Sequence, residues 1–303
     1  MKLAIAGGTG FVGKALTQTL LQKGHELVIL TRQSALQRQS SDKTRYVTWD
    51  PSRHELGGNT LENIDVIINL TGESIAAKRW SHKQKLKILE SRCDSTQTIV
   101  QAIRKTQKKP KVLINASAVG YYGPRDDRIT TEKDGAGKDF LAQVCKAWEA
   151  HAIRAEDFGV RVVRLRIGIV LEKGGGALQK MIPPFQFFMG GPLGSGKQWM
   201  SWVHRQDVIG LILFALENPE AKGAINATAP NPVTMNEFAR TLGKVMHRPS
   251  FARVPGFMLK ILLGEMSDML LTGQKAVPEK SISLGYRFRY PTLQEALESC
   301  LTN

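Results

Sequence analysis

The run Gly7-Gly8-Thr9-Gly10-Phe11-Val12-Gly13 is where residue type and spacing first suggest chemistry. Glycine reaches positive φ at little steric cost and lets the backbone come close to a ligand. An apolar-periodic stretch (Phe11, Val12, Ala15, Leu16, Leu20, Leu21) opens directly behind it. The run therefore reads as a turn into a helix whose first N–H groups are unpaired and whose dipole is positive at that end. Such an end suits a phosphate. An ordinary tight βα turn is the alternative. The context favours the first reading, because an apolar strand over 3–6 precedes the glycines and a second strand over 26–30 follows a helix closed by Gly24. That is the order of a dinucleotide-binding βαβ unit.

Thr31 and Arg32 close the second strand. An NAD site places an acid near this point to accept from the ribose 2′-hydroxyl. The next acid in this chain is Asp42. Arg32 instead offers a planar, permanently charged donor fork that matches a phosphate. The expectation is NADP(H) rather than NAD(H), with Arg32 reading the 2′-phosphate; a solvated arginine is the alternative. Further on, Asp50 could meet the adenine amine or cap the turn before Pro51.

The elements that must position these residues follow the same pattern. A buried strand over 64–70 runs into Thr71-Gly72-Glu73, where Gly72 would let backbone pass close to a ribose or pyrophosphate. A helix over 81–107, with Arg92 inside it and Arg79 just before, leads to a strand over 111–117. Ser117 ends that strand beside Gly120-Tyr121-Tyr122-Gly123. Its hydroxyl could bind a substrate carbonyl or merely satisfy local backbone. A helix over 139–158 and a strand over 160–166 come next. The strand alternates Val and Leu with Arg, so one of its faces is polar or paired.

Alternating strands and helices define an α/β fold, a Rossmann-type doubly wound parallel sheet. The expected division is a dinucleotide-binding domain over 1–171, joined by elements from about 198–228. Substrate-side loops and a smaller, mostly helical C-terminal lobe then occupy 172–303. In the second part Gly191 to Lys197 has the G-x-x-x-x-G-K spacing. Gln198 stands where a phosphate loop needs Ser or Thr, so the segment reads as a substrate-side loop. A short strand over 200–204 leads to a helix over 208–216, with Asp207 as its expected cap.

With 303 residues, 42% hydrophobic and 23% charged, the chain has ordinary globular values. It contains no apolar run of membrane-spanning length, and with its first strand opening at the second residue no signal peptide is expected. Cys93, Cys145 and Cys300 lack metal-ligand spacing. Together these features point to a reducing cytoplasm, with no metal and no membrane partner. The net charge of +15 fits a surface that steers an anionic cofactor. Nucleic-acid binding is the less favoured reading, because the densest basic stretch, from Arg104 to Lys111, lacks interleaved aromatics.

Taken together, these motifs resemble an atypical short-chain dehydrogenase/reductase of the epimerase family. The chain is similar to cell-division-inhibitor-like sugar-nucleotide epimerase homologues with a small C-terminal domain of unknown function. The resemblance rests on Gly7 to Gly13, Asn69-Leu70-Thr71-Gly72-Glu73, Arg79-Trp80, Ser91-Arg92, Gly120 to Gly123, Val144 to Glu149, Arg166 to Leu171, Gly190 to His204 and Gly273-Gln274-Lys275. It implies NADP bound at Gly7–Gly13 and Arg32, further cofactor contacts near Asn69, Leu70, Arg92 and Ile169, and a substrate cleft against the C-terminal lobe.

The departure lies in the chemistry. The family's proton relay is a Tyr and a Lys four residues apart on the helix after the fifth strand. Aligned through Glu149, those positions hold Leu141 and Cys145; a one-residue shift gives Ala142 and Lys146, still without the Tyr. Ser117 keeps a serine where the family has its Ser or Thr. Tyr121, close to Ser117 in sequence, becomes the candidate proton donor, with Glu73 and His204 as further carriers. Tyr122 is expected to be structural and Cys145 inert. The functional expectation is an NADP(H)-binding, epimerase-like or oxidoreductase-like protein acting on a carbonyl, an alcohol or a nucleotide-linked substrate. The alternative is a non-catalytic NADP(H)-binding sensor or partner-binding module.

Overall fold

The computed structural model of the chain describes residues 1–32, 41–57 and 59–302. The first half alternates as expected: β1 (Lys2–Ala6), α1 (Phe11–Gln22), β2 (Glu26–Thr31), β3 (Thr44–Thr48), β4 (Val66–Asn69), α2 (His82–Lys105) and β5 (Val112–Ala118). A short β6 (Ile129–Thr130), α3 (Phe140–Ile153) and β7 (Arg161–Ile167) follow. Beyond them lie β8 (Ile169–Leu171), α4 (Leu178–Gln186), β9 (Trp199–Met200), β10 (Trp202–His204), α5 (Arg205–Glu217) and β11 (Gly223–Ala227). The chain ends through β12 (Val233–Thr234), α6 (Met235–Met246), α7 (Gly256–Leu263), α8 (Asp268–Leu271), β13 (Lys275–Ala276), α9 (Glu279–Ser283) and α10 (Leu293–Thr302). The polar stretch from Gln33 to Thr44, which reads in the sequence as a loop or short helix, lies outside the described residues as far as residue 40.

Seven parallel strands form the central sheet, in the order β11-β7-β5-β4-β1-β2-β3. This is the doubly wound order with one strand added beyond β7. Side chains alternate across each strand, and both faces of the sheet are covered. Leu3, Ile5, Leu27, Ile29, Val66, Ile68 and Ile114 meet Leu16 and Leu20 of α1 and Leu211 and Ile212 of α5. Their neighbours Ala4, Ala6, Val28, Leu30, Ile67 and Leu113 face Ile99 and Ile103 of α2 and Ala152 of α3. Burial on both faces is why these strands read as continuous apolar runs. The direction reverses between β4 and β1, so the loops after these two strands meet at the switch point.

A third cluster, built on Trp202, Phe238, Leu242 and Leu297, is the core of the C-terminal lobe. Several expectations change here. Pro183-Pro184, a proline pair that reads in the sequence as a connector, is helical: both prolines sit in the second half of α4, which stops at Gln186. The expected strand over 200–204 is two strands split at Ser201: β9 pairs with β12, and β10 pairs with β8. The segment after Ile167 therefore leaves the main sheet. Asp207 is not the cap of α5. The helix starts earlier, and His204 Nδ1 accepts from the Gln206 N–H at 3.1 Å. The Asp207 carboxylate is turned to the lobe, where it accepts from the backbone N–H groups of Arg289 (2.7 Å) and Tyr290 (3.0 Å).

Candidate functional site at the sheet edge

Gly7 takes φ +81°, and its carbonyl accepts from the Gly10 N–H at 3.0 Å, closing the turn after β1. A Cβ on Gly13 would stand 2.1 Å from that carbonyl oxygen, and one on Gly7 would stand 2.8 Å from the Leu70 carbonyl. The turn thus leaves room for backbone only, and it touches the loop after β4. Gly10 caps α1 without a side-chain hydrogen bond, and the first turn of the helix has no acid. The opening N–H groups thus carry no side-chain cap, and with the dipole they suit an anion. The Phe11 ring faces the other way, under Gly175 and Gly176 and 5.3 Å from the Arg205 guanidinium. Thr9 and Gly10 are exposed, and so is Arg32, just past the end of β2; Thr31 is buried.

The loop after β4 is held from below. Asn69 is fully buried and donates to Asn115 Oδ1 (2.7 Å) and Thr96 Oγ1 (3.0 Å), while its own Oδ1 accepts from Thr71. Trp148 Nε1 joins the same network at Thr96 (2.9 Å). The side chains of Asn69 and Thr71 therefore set the shape of the strand end, with Leu70 half-buried and Gly72 exposed beside them. Arg92 lies against Gly72, whose Cβ would stand 3.0 Å from the guanidinium carbon. It donates to the Glu73 and Ile88 carbonyls at 3.1 and 2.9 Å, 5.1 Å from the Trp148 ring. Burial lowers its pKa, the sign of a cation with little compensation. Asp50 is used locally as the cap of the turn at Pro51, accepting from the Ser52 N–H at 3.0 Å.

At the ends of β5 and β7 the structure brings together residues that the sequence pattern only hinted at. Glu149 on α3 accepts from Arg166 Nε at 2.8 Å and Nη2 at 2.9 Å, from Arg164 at 3.0 Å, and from Ser117 Oγ at 2.7 Å. Arg166 also reaches the Tyr122 hydroxyl (3.0 Å), which donates to Asn226 at 2.6 Å. The Glu149 and Arg166 side chains are both 3% exposed. Burial alone would depress the guanidinium; the hydrogen-bonded carboxylate reverses this and holds its pKa above the ordinary value. Ser117 is thus committed to a buried pair. The Tyr122 phenol, buried in the same network, is pushed up to about 12. Tyr121 lies half-buried with its ring 3.5 Å from the Arg166 guanidinium, and its hydroxyl has no partner among the described residues. Alternating arginines on β7 gave the signal for this pair, but nothing in the sequence named Glu149 as the acid.

Leu141 and Cys145 line the α3 face under Gly120, at 3.4 and 3.9 Å from where a Cβ would stand. Burial raises the Cys145 thiol to about 12, the range of an inert sulfur. Ile169, at the start of β8, pairs with Trp202. The Gly191–Lys197 loop lies on the lobe surface with Ser195 and Lys197 exposed, and Arg253 reaches the Gly194 carbonyl at 2.9 Å and Asn236 at 3.1 Å. No cluster with metal-ligand character exists among the described residues.

His204 is 1% exposed and stacks on Tyr290 at 3.9 Å between ring centroids. Burial, with Arg205 and Arg289 adding to it, lowers its pKa to about 4. The unfolded imidazole titrates near ~6.5, so the unfolded chain takes up this proton first. Stability from His204 is complete above that pH, is lost as pH falls toward about 4, and falls no further below it. His204→Asn keeps a cap acceptor. Melting temperatures across this window should therefore depend less steeply on pH in the variant. Parallel curves would place the proton elsewhere.

The parallel sheet, its reversal between β1 and β4, and the bare glycine turn at that point define a Rossmann-type α/β protein of the nucleotide-binding class. The chain belongs to the NAD dependent epimerase/dehydratase family, whose model matches residues 3–227. A domain of unknown function (DUF1731) matches residues 254–300. The chain is 42% identical over 305 residues to Epimerase family protein YfhF of Bacillus subtilis, covering 100% of this chain and 99% of that one. It is also 42% identical to the chloroplastic SDR39U1 homologue of Arabidopsis thaliana, over 99% of this chain and 87% of the relative. The crystal structure of human epimerase family protein SDR39U1 with NADPH superposes with a TM-score of 0.89 at 34% identity, covering 100% of both chains.

Proposed function

We propose that this chain is an NADP(H)-dependent protein of the short-chain dehydrogenase/reductase type that handles the substrate proton without a Tyr–Lys pair. The observation that carries this reading is the exposed Arg32 at the end of β2, beside a glycine turn with room for backbone only. Gly7 to Gly13 would hold the pyrophosphate, and Thr31 and Arg32 the 2′-phosphorylated ribose. Leu70, Thr71, Gly72, Arg92 and Ile169 would line the rest of the cofactor's path, with Asn69 fixing the strand end. The human relative solved with NADPH supports the choice of cofactor. When bound, the nicotinamide supplies or accepts a hydride.

The residues around it must then move a proton at the substrate oxygen. Tyr121 Oη is our candidate for this; its ring lies on Arg166, which Glu149 locks, and that contact supports the reading. Ser117 does not share the task directly, because its hydroxyl is spent on Glu149. The substrate is proposed to be a small or nucleotide-linked carbonyl or alcohol, in a cytoplasmic protein divided near residue 171. A panel of ketones, aldehydes and nucleotide sugars, followed by NADPH oxidation, tests the reading. Turnover should fall about a hundredfold in Tyr121→Phe, the scale of general acid catalysis. Unchanged turnover would remove Tyr121 from the chemistry.

Half-buried Leu141 and buried Cys145, standing where the family's proton relay would be, favour a second reading, a non-catalytic NADP(H)-binding sensor or partner-binding module. Tight NADPH binding without turnover across the panel, with protein partners whose recovery changes with NADPH, would establish it.

A further inference from the structure

Large apolar side chains are left in solvent on one part of the C-terminal lobe. At the end of α4, Phe187 is 75% exposed, with Phe188 and Met189 beside it. The segment after α6 runs against this stretch: the Ala252 N–H donates to the Gly190 carbonyl at 3.0 Å, and the Arg248 guanidinium stands 4.7 Å from the Phe188 ring. That segment carries Phe251, 78% exposed, and leads into α7. On α7, Leu259 is buried against the lobe, while Phe257, Met258, Ile261 and Leu262 are exposed. Their i, i+4 spacing makes a continuous apolar stripe facing outward. Soluble monomers rarely leave a contiguous surface of this kind uncovered.

The charge around the patch selects what covers it. The sequence contains no Asp or Glu from 173 to 206 or from 238 to 264. Arg248, Arg253 and Lys260 flank the apolar side chains, and Glu265, the first acid beyond α7, is held by Lys85 at 2.7 Å, so the patch is apolar at its centre and mainly basic at its rim. Two copies of the chain joined through this face would bring like charges together. Aromatic and aliphatic side chains rimmed by Lys and Arg instead match an anionic lipid surface, where the apolar groups enter the acyl boundary and the cations meet phosphates.

We propose that the α4 end and α7 form a docking surface for an anionic lipid bilayer, binding peripherally. No helix among the described residues is long and apolar enough to cross a membrane, and surface docking needs none. The inference does not depend on the cofactor.

The test is flotation of the full chain with vesicles of phosphatidylcholine alone and with about a third phosphatidylglycerol, the anionic fraction supplying the surface potential. The expected result is binding to the anionic vesicles only, weakened by salt. Phe257→Ser/Ile261→Ser leaves the charge unchanged and should weaken binding roughly tenfold or more. Lys105→Ser/Lys108→Ser, in the basic stretch elsewhere, controls for general attraction. Circular dichroism shows that each variant is folded. Equal loss in the two variants would mean that net charge, not this surface, drives binding, and would overturn the proposal. Failure of the native chain to float would overturn it too, as would a dimer in solution that Phe257→Ser/Ile261→Ser dissociates.

Discussion

Gly13→Val should abolish measurable NADPH binding and lower the melting temperature. A Cβ at this position lies 2.1 Å from the Gly7 carbonyl oxygen and 2.8 Å from Gly8 Cα. Both are backbone atoms of the turn itself. No side chain can swing aside, so the turn must open and the α1 N-terminus must move away from β1. Overpacking of this kind costs about 1–3 kcal/mol. The loss of binding should be larger, because the N–H groups would no longer converge on one anion. Gly135→Ala is the control: nothing lies within 4 Å of its added carbon, and its stability should stay within about 0.5 kcal/mol of the native chain. Calorimetric titration with NADPH and a thermal melt read both effects. A Gly13→Val chain that binds NADPH normally would show that the turn is not the pyrophosphate site.

Glu149→Leu should be the most destabilising single change in the sheet edge. It leaves the Arg166 guanidinium buried with the Tyr122 hydroxyl as its remaining hydrogen-bond partner and strips Ser117 Oγ of its acceptor. Removing one partner of a buried pair typically costs about 3–5 kcal/mol. Replacing both, as in Glu149→Leu/Arg166→Met, should cost less than the single change, since the Arg166 charge is gone and only the partly exposed Arg164 is left without its carboxylate. Urea unfolding of the three chains measures this. If the single variant lost under about 1 kcal/mol, the guanidinium would have to reach water on its own.

The two sites differ in how far the sequence discloses them. The glycine turn is local: strand, glycines and helix are consecutive, so pattern alone placed it and Arg32. The doubly wound order follows in the same way, from apolar runs long enough to be buried on both faces. The Glu149–Arg166 pair joins α3 to β7 across a fold that no local pattern specifies, and the alternating arginines told only that some partner existed. Ser117 illustrates the limit from the other side. A serine at a sheet edge reads as substrate-facing, yet strand alternation turns its hydroxyl into the buried pair. Asp207 failed as a cap for a similar reason, because residues 289 and 290, far along the chain, compete for its carboxylate. Pro183 and Pro184 read as a connector, while the lobe core around Leu178 and Phe185 keeps them helical.

The central claim is that Arg32 makes this a reader of the 2′-phosphate, and one pair of titrations tests it most directly. Native chain and Arg32→Ala are each titrated with NADPH and NADH at one fixed salt concentration. A charge-assisted contact to phosphate is worth about 1.5–3 kcal/mol, so native protein should bind NADPH roughly tenfold or more tighter than NADH. Arg32→Ala should lose most of that preference while its NADH affinity stays unchanged. Equal affinity of the native chain for both cofactors, or equal loss of both in the variant, would contradict the account.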